Sequence, residues 1–238
     1  MTGGRCAAVW VAGHGEAFPL PATWGRFLIR CQNPVPVLSS IAILLVCYAF
    51  GCASLSYYAV KWRTGKDLRE SGSGNVGSTN AGRLLGKKAF LILTVADIAK
   101  GWATLVFAAW CGLADWWLCA AGMAVVAGHL WPVQLGFRGG KGMSTSHGAI
   151  IYAAPWVARA MWGIFAAGKL LLRSSTLGAV CAFFSAPLLM LAWHPAAPPL
   201  VMVVVLCVAV ILCHRPNIRD ALQRRRDRGA QITESTAA

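Results

Sequence analysis

Charge is scarce in this chain, and negative charge is scarcer still. Of 238 residues 13% are charged, with 8 acidic against 22 basic side chains. Soluble domains carry about 25% charged residues, so a conventional soluble protein is excluded. With 57% hydrophobic residues and a mean hydropathy of +0.58, the chain reads as a polytopic membrane protein with no room for a separate soluble domain. The shortage of acids also leaves no convincing Ser-His-Asp set. Nine cysteines are present, yet there is no CxxC and no Cys/His metal spacing. Cys47, Cys111, Cys119, Cys181, Cys207 and Cys213 fall in or at the ends of apolar runs and read as small buried apolar residues. No GxxxxGK[ST] occurs, and no strand precedes a glycine-rich turn, which excludes a Walker loop and a Rossmann turn.

What charge there is has one sign and one location. The formal net charge is +14, concentrated in short loops between apolar segments. That pattern suits an anionic leaflet and an anionic small substrate better than a nucleic acid.

A hydrocarbon core about 30 Å thick needs about 20 helical residues. Val37–Trp62 and Ala89–Cys111 meet that length, and Trp116–Val133 is close. Gly142–Leu172 is too long for one span, and Pro155 divides it into a short helix and a fuller one. Thr176–Trp193 and Leu200–Cys213 complete an expected set of seven spans in an all-α fold. Lys61, Arg63, Lys66, Arg69, Arg83, Lys87 and Lys88 lie in the first loop, Arg138 and Lys141 in the third, Lys169 and Arg173 in the fifth. Arg215, Arg219, Arg224, Arg225, Arg226 and Arg228 follow the last span. The loops near Asp115, Pro155 and Pro195 hold almost no basic residues. The positive-inside rule places the basic set in the cytoplasm and the amino terminus outside, against which Arg5, Arg26 and Arg30 weigh mildly.

The expected organisation is an amino-terminal extension (1–36), a transmembrane domain (37–215) and a basic cytoplasmic tail (216–238). The extension reads as disordered sequence or a start site set too early. A targeting segment is the weaker reading, because Glu16, Pro19, Pro21, Arg26, Arg30 and Pro34 follow the short apolar run.

With that topology the unusual polar sequences share a face: "GSGNVGSTNAGR" (Gly72–Arg83), "GHLWPVQLGFRGGKG" (Gly128–Gly142) and "HRPNI" (His214–Ile218). Taken singly, each has an ordinary explanation as linker, snorkelling cation or helix cap. Together they make a phosphate site. Glycines permit positive φ and close backbone approach, and consecutive free amides form an anion-binding nest. Ser73, Ser78 and Thr79 add hydroxyls, Asn75 and Asn80 add amides, and Arg83 or Lys141 supplies a cation. Within the second span Asp97 and Lys100 sit three apart on one helix face, either a structural ion pair or a functional one.

These residues resemble the bacterial acyl-phosphate:glycerol-3-phosphate acyltransferases, over roughly Phe50 to Arg219. The family pattern GSGNxGxTN with a following arginine matches Gly72–Asn80 and Arg83, and GHxxPxxxxFxGGKG matches Gly128–Gly142. HRxNI matches His214–Ile218, and DxxKG matches Asp97–Gly101. The chain departs from the family at Cys52–Ser56, where "CASLS" replaces SIPxG, and after Ile218, where an arginine-rich tail replaces Gly-x-Glu. Pro216 within the third motif bears on how Asn217 is presented.

The resemblance implies transfer of a fatty acyl group from acyl phosphate to the 1-hydroxyl of glycerol 3-phosphate, giving lysophosphatidate and phosphate. It implies a multi-pass protein of the bacterial inner membrane, no metal or other cofactor, and a functional link to the enzyme that makes acyl phosphate. By motif match Ser73, Lys141, His214 and Asn217 are the catalytic candidates. Gly72, Gly74, Asn75, Thr79, Asn80, Arg83, His129, Gly139 and Gly140 are the substrate-binding candidates. His214 is the first choice of general base, His129 the second, and a substrate phosphate is a third proton acceptor. Because the donor is a mixed anhydride, direct attack by the acceptor hydroxyl is expected, without a covalent intermediate. The alternative from another class is a transporter or channel for an organic phosphate, though no internal repeat is visible. A non-catalytic relative keeping the motifs as a lipid-binding surface is a third reading.

Overall fold

The structure, a computed structural model, describes residues 35–193 and 197–237. The expected extension therefore lies almost wholly outside the described residues, as do Arg5, Arg26, Arg30 and the turn at Pro195. All regular structure among the described residues is helical.

Helix α1 (Val37–Cys52) starts after Pro36, and α2 (Leu55–Thr64) ends on Gly65, whose φ of 71° gives the left-handed turn that stops a helix. The sequence suggests one unbroken helix over Val37–Trp62. The structure instead interrupts it at Ala53 and Ser54, although the span as a whole runs over Val37–Thr64. No proline is needed for the break, because side chains from elsewhere take up the carbonyls it releases (below). After a 3-10 turn at Leu68–Glu70 come α3 (Ser78–Leu85) and α4 (Lys87–Trp110), hinged at Gly86, then α5 (Asp115–Leu130) and a second 3-10 turn at Val133–Leu135. Pro155 divides the long apolar stretch as its missing N–H requires: α6 (Met143–Ala153) ends before it and α7 (Pro155–Leu172) begins on it. Then follow α8 (Ser175–Trp193), α9 (Ala197–Cys213) and α10 (Arg215–Ala237), the last bent 59° from α9.

Among the described residues four helices are long and apolar enough to cross a membrane: Val37–Thr64, Lys87–Trp110, Asp115–Leu135 and Ser175–Ala192. The bent pair of α9 and α10 brings the number to five. Length and composition alone thus single out four or five of the seven spans expected from sequence. Helix α6, with 11 residues, is only about 16 Å long at 1.5 Å per residue.

Helices meet where glycine removes the side chain, the usual solution in a bilayer, where close packing replaces hydrophobic driving force. A Cβ on Gly51 would lie 2.1 Å from the Val125 carbonyl oxygen, which locks α1 on α5. One on Gly148 would lie 2.0 Å from the Ile98 oxygen, which locks α6 on α4. One apolar core gathers Cys47, Leu105, Val125, Met202 and Leu206, and another gathers Ile150, Val157, Met161, Phe183 and Met190. A third, smaller core of Val60, Leu68, Val76, Ala81, Leu93 and Leu135 lies under the polar loops and seats them. Of the cysteines assigned to the interior, Cys47, Cys119 and Cys207 are buried, Cys111 and Cys213 are partly so, and Cys181 is exposed on the outer side of α8.

Candidate active site

The first loop is organised by one side chain. Asn80, fully buried, donates through Nδ2 to the carbonyls of Ser71 at 2.8 Å, Asn75 at 3.1 Å and Leu68 at 3.3 Å, and its Oδ1 accepts from the Ser73 amide at 3.1 Å. Its hydrogen-bonding capacity is spent on the loop. Gly72 has a φ of 59°, and a Cβ there would lie 2.4 Å from Asn80 Oδ1, so only glycine closes the turn. Ser73 and Thr79 are exposed at the loop surface, whereas Ser78 is buried and its Oγ accepts from Thr94 at 2.9 Å. Of the hydroxyls in this loop, Ser73 and Thr79 alone face outward.

The second loop folds back on the end of α5. The amide of Gly139 donates to the Leu130 carbonyl at 3.1 Å and that of Gly140 to the His129 carbonyl at 3.0 Å. These amides cap a helix and are not the free nest that the glycine pattern suggests. A Cβ on Gly139 would fall 2.2 Å from the His129 oxygen, so the glycines serve close approach of two backbones. The Val76 amide reaches the Gly139 carbonyl at 3.4 Å, joining the first loop to the second. A second tie comes from Arg69, whose Nη1 donates to the Leu135 carbonyl at 3.0 Å while its guanidinium pairs with Asp67 and lies over the Tyr57 ring. The guanidinium hydrogen bonds hold the Asp67 carboxyl well below the usual carboxylate range.

The third motif closes on the second. Lys141 Nζ donates to Asn217 Oδ1 across 76 positions of sequence. Pro216 sits in the first turn of α10, where its lack of an N–H is tolerated. His214 follows α9 and is buried, and its Nδ1 lies 2.7 Å from the Val210 carbonyl. A carbonyl only accepts, so Nδ1 carries the hydrogen and the lone pair is on Nε2. Burial, countered by the Val210 hydrogen bond and reinforced by the Lys141 charge, pushes His214 below its ordinary pKa. Burial also lowers Lys141, with the Arg83 charge adding to the fall and Asp220 opposing it. Arg83 is exposed on α3. An apolar cleft of about 350 Å³ runs beside this cluster, lined by Trp131, Val204, Val205, Val208, Leu212 and Cys213.

Beneath the loops the intramembrane pair belongs to a larger cluster. Lys100 Nζ lies 3.2 Å from Asp97 Oδ1 and 3.1 Å from His129 Nδ1. It also lies 3.2 Å from the Gly51 carbonyl and 3.0 Å from that of Ala53. Gln134 Nε2 caps the Cys52 carbonyl, so the interruption between α1 and α2 is satisfied by side chains. The Tyr48 hydroxyl donates to the Trp131 carbonyl at 2.6 Å.

The structure thus brings Lys141, Asn217, His214 and Arg83 to one place and joins the glycine loops through Val76. It sets Asn80, Gly139, Gly140 and His129 in the framework behind them. Sequence reasoning missed Asp67, Tyr48, Gln134 and Thr94. Only Asp67 carried a signal, two positions before a loop arginine. Among the described residues no cluster of His, Cys, Asp and Glu has metal-binding geometry.

A family model described as glycerol-3-phosphate acyltransferase matches residues 41–224. The "Glycerol-3-phosphate acyltransferase 1" of Desulfitobacterium hafniense (strain Y51) is 40% identical over 189 residues, covering 77% of this chain and 93% of that protein. The glycerol-3-phosphate acyltransferase of Parasynechococcus marenigrum (strain WH8102) is 37% identical over 188 residues, covering 79% of this chain and 88% of that protein. Among solved structures, the glycerol 3-phosphate form of PlsY, an integral membrane glycerol 3-phosphate acyltransferase, superposes with a TM-score of 0.73. That pair is 34% identical and covers 79% of this chain and 94% of that one. The lysophosphatidic acid form gives 0.70 at 31% identity.

Proposed function

The chain belongs to the glycerol-3-phosphate acyltransferase family, and on that premise we propose that it acylates the 1-hydroxyl of glycerol 3-phosphate with acyl phosphate as donor, releasing lysophosphatidate and phosphate. The observation that carries this reading is the Lys141–Asn217 contact, which puts a lone-pair-bearing histidine, His214, beside a cation on a glycine loop. Both substrates bring a phosphate to that cluster, and Lys141 and Arg83 supply the opposing charge. The apolar cleft accounts for the lipid part of the donor. Val204, Val208 and Leu212 are spaced four apart, a stripe about 12 Å long that ends at Cys213, next to His214.

The acceptor oxygen attacks the acyl carbonyl carbon as the bond to the phosphate oxygen breaks. The hydroxyl proton passes to His214 Nε2 or to a substrate phosphate. His129 is not a base here, since its Nδ1 is engaged by Lys100. Ser73 and Thr79 lie at the loop surface, where they donate to the donor phosphate or to the developing oxyanion. No histidine or carboxylate bonds to Ser73, which favours direct transfer over a serine intermediate. Catalysis rests on positioning and charge stabilisation. The setting is a multi-pass protein of the bacterial inner membrane, in seven passes with the site on the cytoplasmic face and the amino terminus outside. Residues 37–215 form the transmembrane acyltransferase domain, and the basic tail, 216–238, contributes Asn217 to the site.

Purified protein supplied with acyl phosphate and labelled glycerol 3-phosphate should form labelled lysophosphatidate. Acyl phosphate alone should leave no acyl group on the protein by mass spectrometry. An acyl adduct on Ser73, formed and consumed at competent rates, overturns direct transfer. Uptake of an organic phosphate into vesicles without acylation would favour a transporter instead.

A further inference from the structure

Lys100 is the one ammonium whose surroundings explain two features at once, the broken first span and the seat of the second glycine loop. An ammonium has three protons and no lone pair. Lys100 Nζ meets four acceptors within 3.2 Å: the Gly51 and Ala53 carbonyls, Asp97 Oδ1 and His129 Nδ1. Because it can only donate, His129 Nδ1 must accept, and the imidazole is held neutral with its hydrogen on Nε2. That Nε2 edge lies under Gly140, where an added Cβ would come within 2.2 Å of it. Gly140 in turn hydrogen-bonds the His129 carbonyl and precedes Lys141.

We propose that Lys100 is a positioning residue of the reaction. It fixes the tautomer and plane of His129, and through the imidazole edge it sets the height of the Gly139–Gly140 backbone from which Lys141 reaches Asn217. The same ammonium closes the carbonyls of the α1–α2 break, so the first span and the second loop share one fastener. His129 then supports the loop and does not contact substrate. The kinetic part of this inference rests on the acyltransferase reading above; the structural part does not.

The experiment compares Lys100→Met, His129→Asn and His129→Gln in detergent-solubilised, folded protein. Asparagine places an amide oxygen near the Nδ1 position and keeps the Lys100 bond. Glutamine places an amide nitrogen near Nε2 and keeps only a donor toward the loop. Hydrogen–deuterium exchange of the Gly139 and Gly140 amides should quicken at least tenfold in Lys100→Met and His129→Gln, and less in His129→Asn. In the acyltransferase assay Lys100→Met should raise KM for glycerol 3-phosphate at least tenfold while changing KM for acyl phosphate little. The Asn variant should retain at least ten times the kcat/KM of the Gln variant. Glutamine outperforming asparagine would make His129 a substrate contact and overturn the proposal, as would unaltered exchange in Lys100→Met. If Lys100→Met does not fold, the two His129 variants decide the question alone. A wild-type protein without acyltransferase activity whose variants still show the exchange pattern would reject the enzyme reading and keep the fastener.

Discussion

Two polar clusters lie one above the other in this protein, built from similar residues but left in different states. The lower one, Asp97, Lys100 and His129, is buried, and its cation is ringed by four acceptors. The upper one, Lys141, Asn217, His214 and Arg83, is only partly enclosed. Its lysine has a single protein hydrogen bond, its histidine keeps a free Nε2 lone pair, and Arg83 is exposed. A cation whose protons are all taken up within a membrane stabilises, because removing it strands its carbonyl, carboxylate and imidazole acceptors in low dielectric. A cluster with spare valence is where a ligand completes the hydrogen bonding. Residue type does not separate the two, since each holds a lysine and a histidine.

The sharpest way to break the comparison is Lys141→Ala. The upper cluster should lose turnover without loss of insertion or fold. One charge-assisted contact is worth about 1.5–3 kcal/mol, or roughly a 10–150-fold fall in kcat/KM. Near-normal activity in the folded variant would remove Lys141 from the site.

The pH profile sharpens it next. Burial lowers both His214 and Lys141. On the proposed roles, activity should be lost in acid as His214 gains a proton, and in base as Lys141 gives one up. Both limbs of kcat/KM, which report the free enzyme, should therefore shift to lower pH. The acid limb should fall below the ordinary histidine value near 6.5 and the alkaline limb below the ordinary lysine value near 10.4. Lys141→Ala should erase the alkaline limb. An acid limb above 6.5 would show that His214 is not the group titrating.

The smallest expected effect on turnover concerns α10, which belongs to neither cluster beyond Asn217. Changing Arg224, Arg225, Arg226 and Arg228 to glutamine should weaken binding to anionic vesicles by about 1 kcal/mol per residue. Turnover in neutral detergent should be spared. Loss of turnover there, with the fold intact, would extend the upper cluster into the tail.

Composition and apolar run length determined, without any structure, that the chain is helical and lives in a membrane, because neither property depends on which segments touch. Pro155 could be read as a helix boundary for the same reason: a missing N–H acts locally wherever the chain goes. The motif residues that gather at Lys141 were legible as a set, since each loop carries its own glycines and cations. The break at Ala53 was not legible, because what permits it is Lys100 and Gln134, which reach the Ala53 and Cys52 carbonyls from 47 and 82 positions away. Nor was the fate of the glycine amides, which cap α5 instead of standing free. The division between framework and site was equally hidden. Asn80 reads like Asn217, and His129 like His214. Only the folded chain shows that Asn80 has spent its hydrogen bonds on the first loop and that His129 Nδ1 is turned to the Lys100 ammonium, and such engagement is a property of surroundings that distant parts of the sequence supply.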